Sequence, residues 1–538
     1  MSFDLSVSSF IVPVISEISV MKKQLLTSVL AILALSASSQ IPEDLLKYSW
    51  QPVNGTARIN AIGGAMGSLG GDITAIFTNP AGLAFYKTGD LVLSPGYNFL
   101  KNKSNFRGTS FQEKDKFFNL GPTGVVGGLN GNGNWTNKAI SFAVNRTANF
   151  SNKIAYGGQN DFSSFGEQYA VEAANSGLNI GDILNSNLIS IGTKMAVYSF
   201  LVDTATIGGR PLPDFVSLSM LDNLRNGAPF LVNQAKYVET SGGITELAFG
   251  YAANMDDKVY IGGSIGVPIV KYEKRSSLIE QDATGNTDND FDFAQTTETF
   301  TTKGVGVNVK LGVIVKPADY LRLGLAVHSP TFYGLDDTYQ GMMEVNLENY
   351  RSTPGTTTVT SDIFTDGRVP KYQYSLTTPW RFMLSGSYVL REIADIREQK
   401  GFITADLEYV TYKGNRFANG EDTDDGGYYH RLNDVVKSYY KNSVNFRIGG
   451  ELKFTTIMTR LGFAYYGNPY SDKELKANKM FISGGLGYRN AGMFIDVTYV
   501  YGLQKDVDFP YRLPDKANTF ANTKSNGGNL MLTLGFKI

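Results

Sequence analysis

From Val305 to Val315 every second residue is an aliphatic: Val305, Val307, Val309, Leu311, Val313 and Val315. Between them stand Gly306, Asn308, Lys310 and Gly312. A period of two sends the two sets to opposite faces of an extended strand. One face is apolar and the other small or polar, which suits lipid outside and a filled or wet lumen inside. Few other settings accept such a strand, so this run constrains the whole chain.

The same pattern recurs. Leu321, Leu323, Leu325 and Val327 alternate with Arg322, Gly324, Ala326 and His328. Trp380, Phe382, Leu384 and Tyr388 form one face, and so do Val444, Phe446, Ile448, Leu452 and Phe454. The chain closes on Leu530, Leu532, Leu534, Phe536 and Ile538. Reading every such run predicts fourteen strands, the first near 89–101 and the second near 121–130. Short links at 255–257, 317–318, 456 and 490 alternate with long ones at 275–296, 349–366, 413–440, 469–477 and 505–526. That asymmetry predicts a barrel with periplasmic turns and extracellular loops, and both termini periplasmic.

Composition agrees. The 538 residues include 58 Gly, 30 Tyr and 33 Phe, and the net charge of −1 gives no basic surface for nucleic acid. The absence of Cys removes disulfides, thiolate metal sites and a cysteine nucleophile. No stretch after residue 40 is long and apolar enough for a membrane-spanning helix. Residues 1–40 read as an over-extended start followed by a secretory signal over 21–39, with Lys22 and Lys23 before an apolar Leu25–Leu35.

Residues 41–88 read as a separate plug ahead of the barrel at 89–538. Arg58 to Tyr86 is apolar, carries six glycines and ends in Asn79-Pro80-Ala81-Gly82-Leu83. Pro80 fixes its own φ and pushes Asn79 out of the helical region, so the peptide turns there. The run resembles the N-terminal hatch of the FadL/TodX family, outer-membrane transporters of long-chain fatty acids and aromatic hydrocarbons, in which Asn-Pro-Ala precedes the first strand. The stretches VKLGVIVKPADYLRLGLAVHSP, NFRIGGELKF and GGLGYRNAGMFIDVTYVYG are similar to barrel segments of that family. The largest link, 149–240, breaks the period of two. Phe165 and Tyr169, Leu184 and Leu188, and Leu221 and Leu224 fall at helical spacing and predict a part-helical extracellular cap.

The fold expected is thus all-β: a 14-stranded antiparallel transmembrane barrel plugged by an N-terminal hatch. The resemblance implies uptake of hydrophobic small molecules, captured at the cap and released by hatch movement, with outer-membrane lipids around the wall. Phe77, Asn79, Pro80, Ala81, Leu83 and Phe85 are the expected ligand-binding and gating residues. Phe165, Tyr169, Leu184, Leu188, Leu221 and Leu224 are the expected capture residues. The alternative is a barrel that serves as subunit or docking platform in an outer-membrane protein complex without transport. No catalytic group, metal or cofactor is expected. His328 and Ser329 are adjacent on a strand and face apart, and His430 lies in a loop beside Asp424 and Asp425. Lumen-side Asp406, Glu408, Arg447, Glu451, Lys453 and Arg460 read as ion pairs that brace the wall and grip the plug.

Overall fold

The computed structural model describes residues 44–538 apart from 208–209, 353–354, 391–399, 420–426, 473–474 and 476. The expected leader at 1–40 lies outside the described residues. Strand 1 is Asp90–Leu93 with Pro95–Phe106, strand 2 is Thr109–Leu120 with Thr123–Asn130, and strand 3 is Trp135–Asn149 with Asn152–Asn160. Strands 4 to 6 are single runs, Val232–Met255, Val259–Asp282 and Phe293–Ala318. Strand 7 is Leu321–His328 with Phe332–Asn346, strand 8 is Lys371–Thr377 with Arg381–Leu390, and strand 9 is Gly401–Val410 with Arg416–Asn419. Strands 10 to 14 are Ser443–Phe454, Ile457–Tyr466, Lys479–Asn490, Met493–Asp508 and Ala521–Lys537. Each pairs antiparallel with its neighbour, and strand 14 closes on strand 1 with Asp90 opposite Lys537 and Gly96 opposite Met531. Strand 14 on strand 1 thus closes the sheet into a barrel, as a spanning sheet in lipid requires.

The alternation read from the sequence sets the sidedness. Leu311 is 59% exposed on the outside while Lys310 is 6% exposed inside. The outward band continues around the wall through Ile265, Leu325, Leu384, Leu407, Leu461 and Leu486. One rim carries tight turns whose residues take positive φ, among them Asp256, Asp257, Thr455 and Ala491. Gly89 and Ile538 exchange backbone hydrogen bonds of 3.0 and 2.9 Å on the same rim. The other rim carries the long links.

Several strands run further than the sequence suggests. Residues 102–120, expected as a loop, continue strands 1 and 2 into a hairpin turned at Arg107 and Gly108. Strand 3 runs on to Asn160 and strand 4 starts at Val232, so the insert is 161–231 rather than 149–240. Beyond the apolar band both faces are polar, and the period of two leaves no hydropathy trace there. The insert holds helices Gly166–Ser176, Ile180–Asn185, Ile191–Tyr198 and Leu221–Asn226, and also a hairpin of Val202–Ile207 with Arg210–Ser217 that the sequence did not suggest. A helix, Tyr428–Tyr439, lies in the link after strand 9.

The plug fills the lumen near the tight-turn rim. It comprises helix Ala57–Ala61 and two 3₁₀ turns, Ile73–Phe77 and Pro80–Phe85. Its core is Ile59, Ile62, Met66, Leu69, Ile76 and Leu83. Inward-facing glycines let its backbone touch the wall. A Cβ on Gly312 would stand 1.8 Å from Asn79 Oδ1, and one on Gly462 would stand 2.1 Å from Gly63 N. Gly250, Gly262, Gly324, Gly449 and Gly485 meet the plug in the same way. These seven glycines form an inner belt shaped to the plug.

Candidate functional site

The plug's buried backbone groups need partners, and wall side chains supply them from all around. Asp406 accepts from Met66 N at 3.0 Å and Gly67 N at 3.1 Å. Asn137 Nδ2 donates to Ala84 O and Tyr86 O at 2.8 and 2.9 Å. Ser264, Ser483 and Arg322 donate to Ile76 O, Ala61 O and Leu69 O at 2.7, 3.0 and 2.8 Å. Behind them Arg447 bridges Glu408 and Asp406 at 3.3 and 3.5 Å, and Arg460 bridges Glu451 and Asp496 at 2.6 and 2.5 Å. Each carboxylate has a partner, so the ladder braces wall and plug. Among the described residues no cluster of three metal-ligating side chains occurs. His328 Nε2 meets Thr78 O at 2.6 Å, whereas Ser329 Oγ donates to Pro330 O.

Above the plug, toward the long-loop rim, lies a cavity of about 550 Å³. Its floor is Asn60, Gly63 and Gly64, and the segment Trp50–Asn54 crosses it. Phe117, Phe150, Tyr272, Tyr466 and Phe481 supply aromatic lining, with cationic Lys47, Arg146 and Lys479 among them. Lys47 Nζ stands 3.6 Å from the centroid of the Tyr272 ring and Lys479 Nζ 3.9 Å from that of Trp50. The Trp50 indole N–H is buried and finds no acceptor among the described residues. The size and mixed lining fall within the range of small-molecule sites.

The cavity reaches a break in the wall. The ladder between strands 2 and 3 runs from Asn130–Asn137 up to Thr123–Val144 and stops. Among the described residues, no backbone ladder joins Thr109–Leu120 to the facing edge of 145–160. Strand 3 bulges between Arg146 and Ala148 and is interrupted at 150–151, opposite Gly242 and Gly243, which take φ of 95° and 159°. Strand 3 then bends beneath strand 1, where Asn102 Nδ2 donates to Asn152 Oδ1 and Lys153 O, each at 2.5 Å. Bulges and glycines are the devices that bend strands.

Asn54 spans this break. Its Nδ2 donates to Leu120 O at 3.1 Å on strand 2 and to Arg146 O at 2.9 Å on strand 3. It also reaches Asn119 Oδ1 and Asn145 Oδ1, each at 3.3 Å. In return Asn119 Nδ2 donates to Asn54 Oδ1 at 3.2 Å and Asn145 Nδ2 to Asn54 O at 2.9 Å. One residue of the N-terminal run thus ties both lips of the gap.

The residues singled out from the sequence are dispersed. Phe77 lines a smaller, polar cavity of about 110 Å³ with Thr78, Glu246, Lys310 and His328. Asn79, Pro80, Ala81, Leu83 and Phe85 line neither cavity and lie against the wall. Asn79 Nδ2 donates to Gly67 O at 2.6 Å and its Oδ1 accepts from Ala81 N at 3.1 Å. Leu83 packs toward Gly250, and Phe85 stacks on Tyr260 with centroids 4.0 Å apart. Phe165, Tyr169 and Leu221 belong to a core that the insert shares with the barrel rim, with Leu184 against it, while Leu188 and Leu224 are exposed. Asn54 and the wall break were missed, because hydrogen-bond satisfaction across strands leaves no local pattern. The Gly242-Gly243 pair inside strand 4 was the one available signal.

No model of a known protein family matches the sequence, and no curated protein matches it. Solved structures do. A FadL homologue of Pseudomonas aeruginosa aligns over 91% of this chain and 99% of its own, with a TM-score of 0.52 and 13% identity. The toluene transporter TodX of P. putida aligns over 90% of this chain and 99% of its own, with a TM-score of 0.49 and 11% identity. The closed fourteen-strand barrel, assembled above from its own register, is thus the fold that this chain shares with the FadL homologue.

Proposed function

We propose that the protein is a channel for hydrophobic small molecules in the outer membrane of a Gram-negative bacterium, with long-chain fatty acids as its substrate class. The observation that carries this reading is the aromatic-lined cavity that ends at a break in the wall. A molecule entering from the long-loop side would leave sideways into the bilayer and avoid the water beyond the plug. Each methylene kept out of water on that path is worth ~0.8 kcal/mol. Lys47, Arg146, Lys479 and the free indole N–H of Trp50 suit the carboxylate end of such a molecule.

Gating in this reading belongs to the run Trp50–Asn54. The remainder of the plug is tied to the wall all round and stays in place. The exposed Leu188 and Leu224 are the part of the insert left for capture. Uptake of labelled oleate and of toluene by cells lacking the protein, with and without complementation, tests the reading. Complementation should raise oleate uptake several-fold; equal uptake of both compounds in both strains would replace this reading with that of a docking platform.

A further inference from the structure

The outer face of strands 13, 14, 1 and 2 changes character sharply along its height. Its lower row is Tyr499, Leu530, Tyr97 and Phe118, aligned by register across four neighbouring strands. The next row holds Tyr501, Phe99 and Lys116, and the next Leu503, Asn526, Lys101 and Lys114. The top row holds Lys505, Lys524 and Lys103. All six lysines are exposed. Alternate residues lie about 7 Å apart along a strand and neighbouring strands about 4.8 Å apart. The six ammonium groups therefore occupy a patch on the order of 15 Å on a side, directly above an aromatic shelf.

Like charges placed opposite each other across a ladder oppose folding. Lys505 faces Lys524, Lys524 faces Lys103, and Lys101 faces Lys114. Among the described residues none of the six makes an ion pair. The acids of the same strands are on the other face: Glu113 and Asp115 alternate with the lysines of strand 2, and Asp506 and Asp508 with Lys505. Asp508 is taken by Lys236 at 2.9 Å. The opposite side of the barrel is built differently. There Arg275 pairs with Glu273 at 2.7 Å, Lys371 pairs with Asp336 at 3.1 Å, and Lys303 stands opposite Asp336. Lys271 also faces Lys303 there, but Glu273 and Asp336 stand on the same face beside them. The six lysines with no carboxylate among them lie on the wall segment that borders the break between strands 2 and 3.

We propose that this patch binds a phosphorylated glycolipid of the outer leaflet, with its phosphates on the lysine rows and its acyl chains over Tyr97, Phe99, Phe118 and Leu530. The fit is between two amphiphiles of the same polarity: several anions above, hydrocarbon below. A soluble anion would use the lysines and ignore the aromatic shelf. The inference rests on the orientation in the proposed function, with the long-loop rim outward, and it does not depend on transport. A lipid held there lies beside the break and forms its outer border.

The test uses full-length protein in neutral detergent, with bis-phosphorylated lipid A as probe and its dephosphorylated form and inorganic pyrophosphate as controls. Native mass spectrometry and the heat-denaturation midpoint are the readouts. Lipid A should bind and raise the midpoint, and its affinity should fall at least ten-fold between low salt and 0.5 M salt as the charges are screened. The variant K101Q/K103Q/K505Q/K524Q should lose at least ten-fold in affinity; it removes repulsion and should keep the heat-modifiable barrel. K271Q/K303Q, on the opposite wall, should bind as the parent does. Equal binding of the dephosphorylated lipid, salt-independent binding by the parent, or unchanged affinity in the quadruple variant would overturn the proposal. So would pyrophosphate giving the same stabilisation, which would reduce the site to a free-anion patch. Oleate uptake is read separately, so failure of the channel reading and failure of the lipid site are distinguishable.

Discussion

Asn54 and Asn79 use the same side chain to different ends. Asn79 is buried at 1% exposure and joins two turns of the plug to each other. Its replacement by Ala leaves Gly67 O and Ala81 N buried without those partners, a loss of about 1–3 kcal/mol. Asn54 is half-buried, and its partners belong to strands 2 and 3 just beyond the point where their ladder stops. Water can replace its bonds, so Asn54→Ala should cost about 0.5–1.5 kcal/mol. The two variants should therefore separate in paired measurements of heat stability and oleate uptake. Asn79→Ala should lower the denaturation midpoint and leave uptake per folded molecule unchanged. Asn54→Ala should shift the midpoint less and raise the uptake rate several-fold, because a small energy tips a two-state gate. Unchanged uptake in Asn54→Ala would remove that residue from the gate.

Among the elements, the insert shares an apolar core with Leu278, Ala294, Met343 and Val359 of the barrel rim, and Glu280 is a buried carboxylate at that joint. Glu280 lies on strand 5 beyond the apolar band and accepts from Ser164 Oγ at 2.5 Å, Phe165 N at 2.6 Å and Gln234 Nε2. Burial pushes its carboxyl up to about 7, against the pull of those hydrogen bonds, and Glu167 adds repulsion. A folded value above the unfolded one means that the docked insert binds the proton more tightly. The contribution is full below about 4.5, the carboxyl's ordinary value, and is lost as pH rises through about 7. Limited proteolysis of 161–231 should quicken between pH 6 and 8, and Glu280→Gln should flatten that profile. This joint was not legible in the sequence, since nothing near Glu280 marks it as buried. The strands were legible where lipid imposes the alternation, as at 305–315, and vanished where both faces are polar, as at 109–116. The plug was legible from its glycines and the Asn79-Pro80 turn. Its contact with the wall was written on the strands instead, in Gly312 and Gly462, which read there as ordinary small lumen residues.

At the scale of the molecule, the barrel combines a rigid floor with one weak seam. The floor is gripped by Asp406, Asn137, Ser264, Ser483 and Arg322 from around the lumen, so releasing it whole would strand many buried polar groups at once. Among the described residues the seam has no backbone ladder and is spanned by Asn54 and its partners, with one further bond from Asn149 Nδ2 to Phe118 O at 3.4 Å. Release through the seam costs far less than release through the floor, and that difference predicts the route. The chain has no Cys, so a pair introduced as Asn119→Cys and Asn145→Cys has no background reactivity. In the parent, both side-chain oxygens lie 3.3 Å from the Asn54 amide nitrogen, within reach of a short bis-methanethiosulfonate linker, which joins two thiols as disulfides with loss of methanesulfinate and is cleaved by reductant. Linking them should hold strands 2 and 3 together while leaving the cavity open toward the long loops. Trp50, which lines that cavity, should still report oleate binding by its fluorescence. Oleate uptake should fall at least ten-fold and return when the linker is cleaved. Uptake that persists through the linked seam would mean that substrate passes the floor, and the gate would then have to be sought among the wall contacts of Asn79 and Asp406.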